Sequence, residues 1–331
     1  MNFVVRGSGL ALALALSCWP LVGAADALEW LQRMNEAVRL TTYQGTAVYR
    51  NGEQLETLRV YHRFEQGQEH ERMFSLSGQQ REVLRAGEKV TCILPDQKAV
   101  VRDHEGLRGL LPKLSRAAFE ELGQVYELIQ VVGDTRVAGR ACREVRVRSR
   151  DIYRYNYALC LDEESALPLD IRLIDDNGAL LEQVVFTHIE FPPRIEDRYF
   201  ESPIDTQDFR QVSQQGLGTL ASESSAEEGI WEVRDLPEGF RLATRETGRW
   251  PGFDGPVTQM VYTDGLAAVS VFATSSQLPD EALQGLTRLG GVNAYGRMIE
   301  DHHVTVVGEV PQATVRFFGD NLRFTSFKNA Q

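Results

Sequence analysis

Beyond residue 25 this chain has no G-x-S-x-G, and nowhere does it carry an H-E-x-x-H or a C-x-x-C. The first absence removes the strand-to-helix turn that presents a hydrolase serine, and the second the helical histidine pair of a zinc protease. The third removes thioredoxin-like exchange and zinc-ribbon spacing. Histidine is sparse, with six residues scattered at His62, His70, His104, His188, His302 and His303. The last two are adjacent at the start of an expected strand, where successive side chains face opposite ways, so they do not converge on a metal. Gly290-Gly291 alone does not make a phosphate loop. Glu69-His70-Glu71 and Asp103-His104-Glu105 hold acid and base groups, but short charged runs beside turns face solvent. No catalytic residue, metal ligand or cofactor is assigned, and the chain is not read as an enzyme. Basic residues are outnumbered 35 to 47, a net charge of −12, which argues against nucleic acid as a partner.

Long apolar runs are missing as well, apart from Leu10 to Leu16, which falls short of the roughly 20 residues a membrane-spanning helix needs. With Arg6 before it and Gly23-Ala24-Ala25 after it, that run reads as a secretory signal peptide cut after Ala25. Ala15-Leu16-Ser17-Cys18 resembles a lipoprotein processing site only faintly, because Ala stands three before the cysteine where Leu is usual. Export into the periplasm, an oxidising compartment, is the expectation.

What is present is a succession of short strands. A helix opens at Asp26, placed to cap, with Leu28, Leu31, Met34 and Val38 on one face. Alternation then predicts strands over 43–50, 55–64, 69–76, 81–86, 89–94 and 98–102, and after a helix over 115–122 further strands over 126–132, 142–149, 153–161, 168–175 and 180–190. About eleven strands with two helices imply one large, curved antiparallel sheet. Phe209 to Gly229, rich in Ser, Gln, Gly and Glu, reads as a linker. The expected division is 1–25 signal peptide, 26–208 first domain, 209–229 linker and 230–331 second domain, since 306 mature residues exceed what one core organises. In the last part VYTDGLAAVSVF, at Val261 to Phe272, is a hairpin turning at Asp264-Gly265. VTVVGEVPQATV, from Val304, is a strand ending at Gly308; a helix follows from Pro311 with Val315, Phe318 and Leu322 on one face. The fold class is α+β, mostly antiparallel β.

Three cysteines remain after cleavage: Cys92, Cys142 and Cys160. A hairpin centred near Asp151 would place residues summing to 302 opposite each other, which pairs Cys142 with Cys160 as a cross-strand disulfide; two buried free thiols are the other reading. Tyr153, Tyr155 and Tyr157 would share one strand face and Arg154 and Asn156 the other. That aromatic stripe is either core or the wall of an apolar ligand cavity. Trp250-Pro251-Gly252-Phe253 is either an exposed contact loop or a loop folded on its own core.

Several stretches carry a resemblance. WLQRMNEAVRLTTYQGTAVYRNG, HRFEQGQEHERMFSLSGQQREVLR, VAGRACREV, DIYRYNYALCLDEESALPL, WEVRDLPEGF and the two C-terminal blocks resemble the MucB/RseB family of periplasmic regulators of sigma-E-type stress responses. The helix before YQGTAVY, the hairpin KVTCILPDQKAVV and EDRYF at Glu196 to Phe200 are also similar to the LolA/LppX lipoprotein carriers. The resemblance implies an N-terminal unclosed β-barrel plugged by helices, with a smaller C-terminal antiparallel sheet and packed helix. It further implies a negative regulator of an extracytoplasmic-function sigma factor, one that binds the periplasmic domain of a single-pass membrane anti-sigma factor (RseA/MucA-like) and shields it from site-1 protease. A lipid-bearing stress signal, lipopolysaccharide or a lipoprotein, would release it. On that reading Trp250, Phe253 and Tyr262 meet the partner, and Tyr153, Tyr155 and Tyr157 line the apolar cavity. The alternative is a periplasmic lipid or lipoprotein carrier. A hydrolase with an unfamiliar site ranks third, and the sequence leaves a homo-oligomer open.

Overall fold

The computed structural model of the chain describes residues 24–103, 111, 116–213, 229–249, 255–274 and 283–326. Helix α1 (Ala24–Leu40) starts two residues before the expected cap, so Asp26 lies in its first turn, where a carboxylate complements the helix N-terminal dipole. Its stripe Leu31, Met34 and Val38 is buried.

Twelve strands follow in one sheet. The first six are β1 (Tyr43–Asn51), β2 (Gln54–Glu65), β3 (Gln68–Ser75), β4 (Glu82–Ala86), β5 (Lys89–Leu94) and β6 (Ala99–Asp103). Helix α2 (Arg116–Val125) intervenes. Then come β7 (Tyr126–Val137), β8 (Arg140–Ser149), β9 (Asn156–Asp162), β10 (Pro168–Ile174) and β11 (Leu180–Glu190), and β12 (Arg210–Ser213) completes the sheet. Their order is β12-β6-β5-β4-β3-β2-β1-β11-β10-β9-β8-β7. Two antiparallel meanders are thus joined side by side through β1 and β11. The sheet ends at β12 and β7 without closing, so it is an unclosed barrel. β6 and β7 lie toward opposite edges of the sheet, with α2 between them in sequence. Leu122 and Val125 of α2 join the α1 stripe in one apolar cluster with Leu58, Val145 and Phe186 of the strands.

The chain leaves β11 across the outer side of β2 to β4. Arg63 donates to the Ile195 carbonyl at 2.8 Å and pairs with Asp197 at 2.6 Å. Ser202 donates to Glu82 at 2.6 Å, and Tyr199 stacks on Tyr61 with centroids 5.0 Å apart. The EDRYF stretch is this strap. It delivers Arg210–Ser213, expected to begin the linker, to the sheet edge as β12, parallel to β6. Four residues of extended backbone next to an open edge find ladder partners even without an apolar period.

The second part holds the pair β13 (Gly229–Val233) and β20 (Leu322–Ser326), and a six-stranded antiparallel sheet in the order β14-β15-β16-β19-β18-β17. Those strands are β14 (Arg241–Arg249), β15 (Pro256–Thr263), β16 (Ala268–Thr274), β17 (Gly285–Leu289), β18 (Val292–Ile299) and β19 (His302–Gly308). Helix α3 (Gln312–Asn321), entered at Pro311, packs on β18 and β19. Val315 and Phe318 are fully buried there, as their spacing predicts; Leu322, expected on the same helical face, is also buried, but the helix ends at Asn321 and Leu322 opens β20. This separate core holds Trp231, Met260, Tyr262 and Val271 as well.

Candidate functional site

A fully buried ion pair lies where the two sheets meet. Residues 150–155 connect β8 to β9 irregularly: Asp151 Oδ1 accepts the Tyr153 amide at 2.8 Å, and Asn156 Oδ1 accepts the Ser149 amide at 2.9 Å. These short-range bonds pull residues 151–155 out of the ladder, so β9 begins at Asn156 and not at Tyr153. The pairing register moves with it. Cys142 lies opposite Asp162 and Glu144 opposite Cys160, a sum of 304 and not the expected 302. The two cysteines are therefore diagonal neighbours on one face, with Cα atoms 5.4 Å apart, and their sulfurs are bonded. Strand twist closes this diagonal.

Arg154, at the end of that connection, is fully buried. Its Nε donates to Asp264 Oδ2 at 2.5 Å, its Nη1 to Asp151 and its Nη2 to the Glu238 carbonyl, while its guanidinium carbon lies 4.6 Å from the Phe240 ring centre. Asp264 comes from the β15–β16 turn, and its two oxygens divide the work. Oδ1 accepts the amides of Leu266 and Ala267 at 2.9 and 2.8 Å, which builds the turn. Oδ2 faces the first domain, accepting Arg154 and, at 3.0 Å, the Tyr126 hydroxyl. Burial first, and the Asp264 charge second, push the Tyr126 phenol well above its usual range, so it stays a donor. A Cβ on Gly239 would sit 2.9 Å from Val125 Cγ1, and this residue has φ +81°. Only glycine therefore lets residues 238–240 close over Arg154.

Five further contacts continue the seam. Thr314 Oγ1 donates to the Tyr153 carbonyl at 2.8 Å, and the Tyr153 ring meets Phe317 edge-on at 5.2 Å. Asn293 Nδ2 donates to the Tyr155 hydroxyl at 2.8 Å, while Tyr155 packs on Leu173 and Leu181. The Gly290 turn abuts Asn51, and Arg241 pairs with Glu121 at 3.1 Å on the exposed rim.

These positions revise the tyrosine stripe. Tyr153 and Tyr155 precede β9 and face the smaller sheet, so they serve the seam and not a ligand hollow; Tyr157, in β9, is half-buried between the large core and the seam cluster. Tyr262, expected at a partner surface, is buried against Phe318 at 5.1 Å because β15 turns that face toward α3. Trp250 and Phe253 lie outside the described residues. The sequence places Arg154 with Asn156 on a strand face without giving it a role, and Asp264 in a turn. An Arg inside an aromatic run was the one available signal, and nothing in it names a partner 110 residues away.

The seam's charged groups are paired with one another, and among the described residues no His, Cys, Asp or Glu cluster is spaced to hold a metal ion. Fold and seam together define a two-domain protein built on an open antiparallel sheet. Comparison with known proteins makes this particular. Residues 26–211 match the model of the MucB/RseB N-terminal domain and residues 225–323 that of the MucB/RseB C-terminal domain. The sigma factor AlgU regulatory protein MucB of Pseudomonas aeruginosa is 32% identical over 325 residues, covering 94% of this chain and 95% of that one. The sigma-E factor regulatory protein RseB of Escherichia coli K12 is 28% identical over 324 residues, covering 97% and 96%. The chain belongs to the MucB/RseB family, whose members here bear the names of regulators and not of enzymes. In three dimensions it superposes on the Pseudomonas aeruginosa MucA/MucB complex with TM-score 0.71 at 29% identity, covering 91% of this chain and 99% of that one. The values are 0.69 for MucB in complex with MucA(peri), at 29% identity and covering 91% and 100%, and 0.63 for MucB crystallised as such, at 28% identity and covering 91% and 98%.

Proposed function

We propose that this protein is a periplasmic negative regulator of an extracytoplasmic-function sigma factor. It is exported by cleavage of residues 1–25, and it binds the periplasmic domain of a single-pass membrane anti-sigma factor, shielding it from site-1 protease. The observation that carries this reading is superposition across both domains on MucB in its complex with the periplasmic part of MucA. The division into two domains, expected at 26–208 and 230–331, is part of the proposal; Arg210–Ser213 of the expected linker belong to the first sheet and Gly229 to β13, which leaves the segment 214–228 to join two bodies that can change their relation.

A lipid-bearing molecule, lipopolysaccharide or a lipoprotein, relieves the block by occupying the hollow of the open sheet, where α1 and α2 supply apolar side chains that can give way to acyl chains. Such a signal works only if it binds the releasing arrangement more tightly than the holding one, since equal affinity shifts nothing. Trp250 and Phe253 remain the proposed partner contacts. Protease protection tests the reading: the candidate anti-sigma domain should resist site-1 protease with this protein present and lose that resistance when lipid is added. Cleavage at the same rate with and without the protein would overturn it.

A further inference from the structure

Arg154 and Asp264 have no exposed side-chain surface, yet they belong to different domains. A charge pair so placed has two stable conditions. Either it is closed and dry, with every polar atom partnered, or it is open and hydrated; a half-open seam would hold an unpaired charge against apolar walls. The exposed Arg241–Glu121 pair on the rim is screened by water and imposes no such choice. Within Asp264 the two duties are separate, because Oδ1 serves the turn and Oδ2 the other domain.

We propose that Arg154 and Asp264 form an interdomain latch that holds the two domains in the arrangement retaining the anti-sigma partner, and that release of the partner passes through its opening. This rests on the function proposed above. The chain superposes with TM-scores of 0.71 and 0.69 on the two MucA-bound forms of MucB and 0.63 on MucB crystallised as such. By linkage, if closing the latch raises partner affinity by some factor, bound partner favours the closed latch by that same factor.

The test uses the full mature chain. Asp264→Asn keeps an oxygen for the turn amides but presents an N–H to the Arg154 N–H and the Tyr126 hydroxyl. Arg154→Met removes the other half, and Arg143→Ala, in an exposed ion pair with Glu163, is the control. Interdomain distance is read by electron–electron resonance between spin labels on Glu88→Cys and Glu246→Cys, both exposed positions. Affinity is read by titration with the purified periplasmic domain of the cognate anti-sigma factor. Either latch variant should broaden the distance distribution and weaken binding about tenfold, within the usual range of interdomain coupling. The double variant should be no weaker than the worse single one, because both remove the same contact. Should a latch variant fail to fold, Tyr126→Phe removes one donor to Asp264 without stranding a charge, and a few-fold loss of affinity is expected. Unchanged distances overturn the latch, and changed distances with unchanged affinity overturn its coupling to the partner. Failure of the unmutated protein to bind overturns the functional reading instead.

Discussion

Asp162 shows how a single buried carboxylate in this protein is held. Arg140 grips it with Nε at 2.6 Å and Nη2 at 3.1 Å, and Ser165 adds its amide at 2.9 Å and its hydroxyl at 2.8 Å. Burial works to raise its pKa, but the donors outweigh burial and leave it below the usual carboxylate range. Between that lowered native pKa and the ordinary value near 3.9, the unfolded chain binds more protons than the native one. The stabilisation is therefore complete above that range and is lost as pH falls through the native pKa. Asp162→Asn should flatten the fall of the urea midpoint with acidification below about pH 4; an unaltered slope would show that other carboxylates govern it. Arg154 and Asp264 obey the same rule of complete pairing, with the difference that their partners lie on separate domains.

Between elements, the β8–β9 pair is closed covalently by Cys142 and Cys160, 18 residues apart. A loop of that length is expected to stabilise by about 3 kcal/mol through the unfolded state. Denaturation of Cys142→Ser against the unreduced protein should show that loss, and a non-reduced digest should yield the linked peptide, with Cys92 alone alkylatable after unfolding. Burial raises the Cys92 thiol pKa and withdraws it from exchange. The loop from β13 to β14 offers a second check. Gly239→Ala places a methyl against Val125 at a positive φ, which should cost about 1–3 kcal/mol and act on the seam more than on either sheet. Domain-resolved hydrogen exchange should show faster exchange first in residues 150–155 and 264–267.

For the whole molecule the open question is how a partner engages. Trp250→Ala is expected to weaken anti-sigma binding by about 1–3 kcal/mol if the residue is an anchor, and an unchanged titration removes it from the contact surface. Much of the architecture is legible without coordinates. The strands of the large sheet fall within a few residues of where alternation and turn residues place them, because period-2 burial is a local property written in consecutive side chains. The fully buried Val315 and Phe318 likewise follow from helical spacing, whereas Leu322, expected on the same helical face, is buried as the first residue of β20. Local rules fail at residues 150–155, where side chains of Asp151 and Asn156 outcompete the ladder, and at Arg210–Ser213, where an available sheet edge converts a polar segment to strand. Composition and spacing thus settle the fold class and the apolar faces, while the family is carried by the resemblance of whole stretches of wording. They leave unstated that β1 and β11 join two meanders, that Tyr153 and Tyr155 turn to the second domain, and that Arg154 meets Asp264. Each of those contacts joins residues more than 100 positions apart. What selects them is the requirement that buried polar groups, from strand backbone to charged side chains, find partners once the two cores have packed, a condition that exists only in three dimensions.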